Sequence, residues 1–414
     1  MQIWIGFLTL LWAVSAAAVS PNTPFTLGQA LARVLENNPQ LQAVDFDTRA
    51  AAARIRQQSL QTAWQVGIQM ENLAGSGVGN DLETTLSLGR VMELGNKATL
   101  RGDIAQQQAK LLRHEQDAQR LDLLAETAQR FSDIAYAQAR RELLERQLDS
   151  AKHTQRAVAQ RFRAGKATKA EIKRAEIGIA RAELMFEETD HLLRNGRSQL
   201  AVLWGEIEPD FQQVVNNLLQ IPGEVADFSD LERLLDNNPS IVRFATQERL
   251  AGARLQLARA RRQPDIDLSV GVRHFSANDD AGLMLNLSAP LGSRSRAASF
   301  EDEAQALVKL EPLLAKNRKL ALRATLFGLH QELVHERDRL KMLSSRIIPA
   351  ATAAVDDTSR SYSNGRYSLL ELTQSQDQLL QARMELLDAA ASFHRNRIQI
   401  ERLIGAVPHT GVNP

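Results

Sequence analysis

The side chains best suited to chemistry in this sequence are its eight histidines and its acidic residues, and they form no recognisable catalytic or metal-binding pattern. His330 and His335 are five positions apart, which misses the i,i+4 spacing that places two ligands on one helix face. The absence of cysteine excludes thiolate metal sites, a cysteine nucleophile, disulfides and an acylated N-terminal cysteine. We find neither a phosphate-binding glycine loop nor an HExxH motif. We therefore predict no catalytic residue, no metal site and no cofactor, with the histidines at the surface or in packing contacts.

Two glycines have a clearer role. Gly165 and Gly365 each end a helical segment, where a glycine supplies the positive φ that lets the chain reverse. A helix-hairpin turn is therefore predicted at each position. The formal net charge of the whole chain is +1, which gives no electrostatic case for nucleic-acid binding.

These two glycines are 200 positions apart, and other landmarks share that offset in the same order. The matching landmarks are Asn37-Asn38-Pro39 with Asn237-Asn238-Pro239, Ala53-Arg54 with Ala253-Arg254, Gly165 with Gly365, Glu171 with Glu371, and Gly205 with Gly405. Single matches arise by chance, but an ordered series at one offset indicates an internal duplication.

The duplication divides the chain into two repeats and a linker. We predict a signal peptide at 1–18, because a short apolar run is followed by an A-x-A cleavage site. The first repeat is predicted at 19–205 and the second at 227–405. The predicted linker at 206–226 contains two prolines and a glycine, and a tail follows at 406–414.

Long helices dominate both repeats. The segment 103–164 contains no Gly or Pro and is rich in good helix formers, which predicts a rod about 90 Å long. The other predicted helices are 166–204, 293–364 and 366–404, besides a helix that opens each repeat. Three residues, Pro312, Gly328 and Pro349, are predicted to interrupt helix 293–364.

Part of the long helix carries an apolar stripe at coiled-coil spacing. Its members are Leu121, Leu124, Ala128, Phe131 and Ala135. On this segment alone, a soluble coiled-coil protein is an equally good interpretation.

Each repeat also contains two stretches in which apolar and polar residues alternate. They predict strands at 64–73, 82–91, 265–275 and 282–290, the first two joined by a glycine-rich hairpin loop. Such alternation is typical of a transmembrane β-barrel and also of a soluble half-buried sheet. The predicted export signal, the charged polar faces and Trp64 at a strand entry favour the membrane.

Four strands do not close a barrel, since the smallest membrane barrels have about eight. An open sheet edge in lipid leaves backbone groups unpaired, at several kcal/mol each. A barrel therefore needs several copies of the chain, and the sequence alone does not choose between two copies with eight strands and three with twelve. The long charged helices must project into water.

Two motifs at corresponding positions of the two repeats indicate a family. The first repeat has Arg161-Phe162-Arg163-Ala164-Gly165-Lys166-Ala167-Thr168, and the second has Ser361-Tyr362-Ser363-Asn364-Gly365-Arg366-Tyr367-Ser368. Their order, with the closing Leu203-Trp204-Gly205 and Leu403-Ile404-Gly405, resembles the TolC-like outer-membrane efflux proteins over the whole mature chain. The stretches 71–77 and 93–97 resemble the cobalt–zinc–cadmium resistance branch of that family.

The resemblance implies a mainly α fold with a small β part. Three chains would form a twelve-stranded outer-membrane β-barrel in lipid and an α-barrel across the periplasm. The expected function is the passive exit duct of a tripartite RND-type efflux system, exporting divalent heavy-metal cations and not acting as an enzyme. The expected partners are a periplasmic adaptor (membrane fusion protein) and an inner-membrane RND pump, with no nucleic acid and no lipid anchor.

Three alternatives stay open at this point. Two are outer-membrane factors for drug efflux or for type I protein secretion. The third is a soluble periplasmic coiled-coil scaffold or adaptor, although no lipoyl-like domain is found in the sequence.

The resemblance also assigns residues to the tip turns. It implies an adaptor contact that we predict to include Gly165, Lys166, Ala167, Thr168, Gly365, Arg366, Tyr367 and Ser368. It further implies a periplasmic gate, with Tyr362 and Glu171 matching a tether and Glu371 matching an acidic ring. Repeated around a threefold axis, Glu371 would give a constriction that attracts cations. Gln374 stands where a second acidic ring is expected, so that ring is doubtful.

Overall fold

The computed structural model describes residues 24–73, 81–215, 217–221 and 223–408. The predicted signal peptide at 1–18, the hairpin loop at 74–80 and the end of the predicted tail lie outside the described residues. In the first repeat the helices and strands are α1 (Leu27–Asn37), α2 (Pro39–Gln58), β1 (Gln65–Glu71), β2 (Glu83–Glu93), α3 (Lys97–Arg163) and α4 (Lys169–Val202).

The second repeat follows the same order of elements. Its helices and strands are α5 (Phe228–Leu234), α6 (Pro239–Ala260), β3 (Asp265–Phe275), β4 (Asp280–Ser288), α7 (Ser293–Met342), α8 (Ile348–Ser363) and α9 (Leu369–Leu403). No helix within the described residues has the length and apolarity needed to cross a bilayer.

The longest helix, α3, has 67 residues and begins at Lys97, six residues before the predicted start. Gly102 lies inside it rather than before it. A Cβ at Gly102 would overlap the Ser59 hydroxyl, so this glycine lets α3 lie close to the end of α2. The apolar stripe predicted along α3 is buried in the structure.

Helix 293–364 was predicted to be interrupted, and the structure places a single break in it. α7 continues through Pro312 and Gly328, and a π-helical segment, Leu343–Ile347, separates it from α8. Pro349 follows directly in the first turn of α8. A proline has no N–H to donate and its ring collides with the carbonyl four residues earlier, which the wider π turn accommodates.

The four strands form one antiparallel sheet in the order β1-β2-β3-β4, so the central pair joins the two repeats. Apolar side chains cover one face and are strongly exposed, including Val66 at 73% and Leu285 at 72%. Small residues lie on the other, polar face. A Cβ at Gly271 would come within 2.7 Å of the Leu86 carbonyl oxygen, so the strands approach too closely there for a side chain.

Matching hydrogen bonds close the ends of the two repeats. Asn38 Nδ2 donates to the Leu203 carbonyl at 2.6 Å, and Asn238 Nδ2 donates to the Leu403 carbonyl at 2.7 Å. Each asparagine also caps the helix that starts after it, through its Oδ1 atom. The paired Asn-Asn-Pro motifs therefore fasten the start of one helix to the end of another.

The segment predicted as a linker is packed against the helices. Phe25 and Val214 form a parallel β-bridge, and Gln138 exchanges two hydrogen bonds with the backbone of Val214. His394 Nε2 lies 2.9 Å from the Leu218 carbonyl oxygen, and His330 Nε2 lies 3.0 Å from the Ala226 carbonyl oxygen. These two histidines make packing contacts, as expected, and they hold the linker in place.

Candidate functional site

The two turns at the helix tips, α3 to α4 and α8 to α9, have the same backbone geometry. Gly165 and Gly365 have φ values of +70° and +78°. In the first turn, Lys166 N donates to the Arg161 carbonyl at 2.8 Å, and in the second Arg366 N donates to the Ser361 carbonyl at 2.9 Å. This is the Schellman arrangement, which satisfies the last carbonyls of a helix and reverses the chain.

Each turn leads into a capping box. Thr168 N donates to Glu171 Oε2 at 2.7 Å, and Glu171 N donates back to the Thr168 hydroxyl at 3.2 Å. Ser368 and Glu371 repeat this exchange at 2.7 and 3.4 Å. The two glutamates predicted for the gate therefore complete the start of their own helices.

The capping box also sets the charge of Glu371. The hydrogen bond from the Ser368 backbone, and then that from its hydroxyl, lowers the pKa of the Glu371 carboxyl below its usual value of 4.5. Since the side chain is exposed, Glu371 presents a stable negative charge to solvent at the tip.

Tyr362 is the largest buried side chain at the tip, with 1% of its surface exposed. It packs in a small apolar cluster with Val158, Ala175, Leu369 and Leu372, which come from α3, α4 and α9. Burial raises the pKa of the Tyr362 hydroxyl, and the negative charge of Glu171 adds to that effect.

The tether predicted between Tyr362 and Glu171 is not a hydrogen bond within one chain. The Tyr362 hydroxyl is buried and has no hydrogen-bond partner among the described residues, while the Glu171 carboxylate is engaged with Thr168. Within one chain, Glu171 therefore acts on Tyr362 through its negative charge and not through a hydrogen bond.

Arg161 joins the two turns, and it was missed in the sequence. Its guanidinium carbon lies 4.5 Å from the centre of the Tyr362 ring, and Nη1 donates to the Tyr362 carbonyl. Nη2 donates to the Lys166 carbonyl at 3.3 Å. One side chain therefore contacts the ends of α3 and α8 together. The sequence did offer one signal for Arg161. At the 200-residue offset, the corresponding position in the second repeat is Ser361, which is not basic.

The residues predicted to contact an adaptor lie at the outer end of the turns. Lys166, Thr168, Arg366, Tyr367 and Ser368 are exposed, and Ala167 is half-buried. Neither Lys166 nor Arg366 makes an ion pair within the described part of the chain. The end of the molecule therefore carries basic groups that are available to an external partner.

A second charged group lies on the polar face of the sheet. Arg273 on β3 contacts Glu83 at 2.8 Å and Glu71 at 3.1 Å, and its Nε donates to the Thr85 hydroxyl at 2.9 Å. This ion-pair network ties three strands together on the side opposite the apolar face. Among the described residues, no group of three or more His, Asp or Glu side chains is arranged to hold a metal ion.

The sequence profile of the family described as "Outer membrane efflux protein" matches residues 30–206 and 231–406, one segment in each repeat. The chain is 25% identical over 324 residues to the cobalt-zinc-cadmium resistance protein CzcC of Cupriavidus metallidurans, covering 78% of this chain and 77% of that protein.

Solved structures share the fold at lower identity. A structure of CusC, described in terms of transmembrane channel formation, matches with a TM-score of 0.75 at 17% identity over 92% of each chain. The outer membrane protein VceC from Vibrio cholerae matches with a TM-score of 0.74 at 16% identity, covering 92% of this chain and 97% of that one.

Proposed function

Because the chain belongs to the outer membrane efflux protein family, and is thus a transport protein of the outer membrane rather than an enzyme, we propose that it is the exit duct of a tripartite RND-type system for divalent heavy-metal cations. The family match decides against the soluble scaffold considered from the sequence. The observation that carries the proposed metal cargo is the likeness to the cobalt-zinc-cadmium resistance protein CzcC across most of both chains.

The proposed assembly is a homotrimer, and the sheet supplies the physical reason. β1 and β4 each have one neighbour within the described chain, so each has a free edge. In lipid these edges must pair with other chains, since unpaired backbone groups cost several kcal/mol each. Three chains give twelve strands, with the exposed apolar face toward lipid and the Arg273 network toward the lumen.

The proposed adaptor contact is the basic end formed by Lys166, Arg366 and their exposed neighbours. Unpaired cations on a rigid helix tip suit a partner that offers carboxylates or backbone carbonyls. We propose that the three copies of Glu371 in the trimer form an acidic ring just inside the periplasmic opening of the duct. We further propose that the chain is exported through a signal peptide, segment 1–18, which is then cleaved, and that the chain, which has no cysteine, is not lipidated.

The cargo is tested by metal and drug susceptibility in a strain that lacks this chain. Complementation is expected to restore resistance to zinc, cobalt and cadmium and to leave sensitivity to organic drugs unchanged. Restored drug resistance without metal resistance would assign the duct to drug efflux. Restored secretion of a polypeptide alone would assign it to type I secretion.

The adaptor contact has a separate test. Arg366→Glu is expected to abolish complementation while the oligomer still assembles, as judged by SDS-resistant bands from membranes. Lys316→Glu, a charge reversal at an exposed lysine far along α7, is the matched control and is expected to complement fully. Full export by Arg366→Glu would remove Arg366 from the contact.

A further inference from the structure

A cavity of about 410 Å³ opens on the apolar side of the sheet, where the strands join the helices. Its walls come from β2, β3, the segment before β1 and the first turn of α3. The apolar and aromatic part of the wall includes Trp64, Leu88, Met92, Leu268 and Val270. All five side chains are at least one-third exposed in the chain, so this wall lacks a partner.

Arg90 is a cation on this otherwise apolar face. It lies on the same side of β2 as Leu88 and Met92, and it pairs in register with Leu268 of β3. A charged side chain facing lipid is costly near the middle of a bilayer and costs little near the interface. Its place at the helix end of the strand, beside Trp64, therefore puts the cavity at the level of the lipid head groups.

The hydrogen-bond and ring partners of Arg90 among the described residues carry no charge. Nε donates to the Thr62 hydroxyl at 3.5 Å, the Nη2 group donates to Gln61, and the guanidinium lies 5.6 Å from the centre of the Trp64 ring. Within the described part of the chain, Arg90 makes no ion pair. All of these partners are neutral.

The other charged residues of the wall are already paired. Lys97 Nζ contacts Asp265 at 2.6 Å, and Glu93 contacts Arg101 at 2.5 Å. The cavity therefore has one excess positive charge next to an apolar wall, which is the complement of an anionic head group attached to hydrocarbon chains.

We propose that this cavity binds a glycerophospholipid of the leaflet nearest the helices, with its phosphate on Arg90 and its acyl chains along Leu88, Leu268 and Val270. The inference rests on the proposed function, since it needs the apolar face to lie in a bilayer. Free phosphate would satisfy Arg90 and leave the apolar wall exposed, so a lipid is the occupant that fits both parts.

The test is native mass spectrometry of the full chain, purified in detergent from membranes. The wild-type protein is expected to retain one phospholipid per chain through a detergent wash, and Arg90→Gln is expected to reduce that retention at least fivefold. Arg90→Lys keeps the charge and is expected to retain most of the lipid. Arg49→Gln, an exposed arginine beside Phe46 in α2, is the matched control and is expected to behave like the wild type. Equal retention by Arg90→Gln and the wild type would overturn the site.

A second measurement does not depend on whether an Arg90 variant folds. Fluorescence quenching by brominated phosphatidylglycerol in vesicles is compared with quenching by a brominated diacylglycerol that lacks the phosphate. Trp64→Phe shows which part of the signal comes from Trp64, since Trp204 is buried at 3% exposure among helices. Stronger quenching of Trp64 by the phospholipid supports the site, and equal quenching by both lipids overturns it.

Failure of the proposed function and failure of the lipid site alone would give different results. A protein that stays monomeric in plain buffer, with Trp64 unquenched by either lipid, would contradict the proposed function itself. Equal quenching of Trp64 by both lipids in an assembled channel would overturn only the lipid site.

Discussion

Arg161 lies with its guanidinium over the ring of Tyr362 and donates to the carbonyl of the same residue, although 201 positions separate them in the chain. The contact ties the end of the longest helix to the end of α8 at the tip. Tyr362 is buried beneath it, and its hydroxyl has no hydrogen-bond partner among the described residues. Arg161 links the two turns by donating hydrogen bonds to the carbonyls of Tyr362 and Lys166.

Arg161→Gln is expected to loosen the tip without preventing assembly. A cation–π contact of this kind is worth about 1–2 kcal/mol, and the substitution also removes a hydrogen bond between the turns. Single-channel conductance in planar bilayers is expected to rise, with more frequent open events. Arg163→Gln, an exposed arginine two residues along, is the control. Identical conductance for wild type and Arg161→Gln would show that the contact does not restrain the mouth.

Glu371→Gln separates the capping role of this residue from its charge. A glutamine at this position still accepts the hydrogen bonds from Ser368, so helix α9 and thermal stability are expected to be unchanged. Block of the channel by divalent or trivalent cations is expected to weaken, because a ring of like charges is lost. Glu385→Gln, farther along α9, is the control. Unchanged conductance and cation block in Glu371→Gln would remove it from the gate.

The same carboxylate predicts a pH dependence. Because the folded pKa of Glu371 is lowered, its favourable hydrogen bonding is fully present above the unfolded pKa and is lost only as pH falls through the lower folded value. Cation block is therefore expected to persist at pH 4.5, the usual pKa of glutamate. It is expected to disappear only as the pH falls through the lower pKa of Glu371 in the folded protein. Block that is half lost at pH 4.5 would contradict the lowered pKa.

His394 predicts acid sensitivity in the helical part. Burial, followed by the positive charge of Arg397, lowers its pKa from 6.5 to about 4. The unfolded chain then takes up a proton first, so stability falls as pH drops from 6.5 to about 4, by roughly 3 kcal/mol for one chain. The melting temperature measured across this range should fall less in His394→Gln, with the exposed His191→Gln as control. An equal fall in His394→Gln would assign the acid sensitivity to other groups.

Asn238→Ala removes a helix cap and leaves the Leu403 carbonyl without its partner. The combined loss of a cap and of a buried hydrogen bond is expected to cost about 2–4 kcal/mol. Chemical denaturation should show a lower midpoint, whereas Asn317→Ala, in the middle of α7, should leave the midpoint unchanged or raise it slightly. An unchanged midpoint in Asn238→Ala would mean that water replaces the lost contact.

Much of the fold could be predicted because it depends on residues that are close together in the sequence. Gly165 and Gly365 were predictable as turns because glycine adopts a positive φ without steric cost and because capping residues follow each of them in the sequence. Alternating strands and the Asn-Asn-Pro motifs likewise depend on near neighbours, and the duplication displayed each signal twice. The start of α3 was missed because Gly102 suggests a boundary in sequence and provides close packing in the structure.

The sequence by itself determined the repeated order of helices and strands, the tip turns and the family, because these follow from short-range preferences and from residues at a fixed offset. Only the tertiary structure decided that Arg161 lies against Tyr362, that His394 holds the linker, and that Arg90 lines a largely apolar cavity. Each of these depends on segments far apart in the chain, whose approach is set by packing of whole helices and pairing of β2 with β3. The pattern of residues along the sequence does not give the distance in space between such segments.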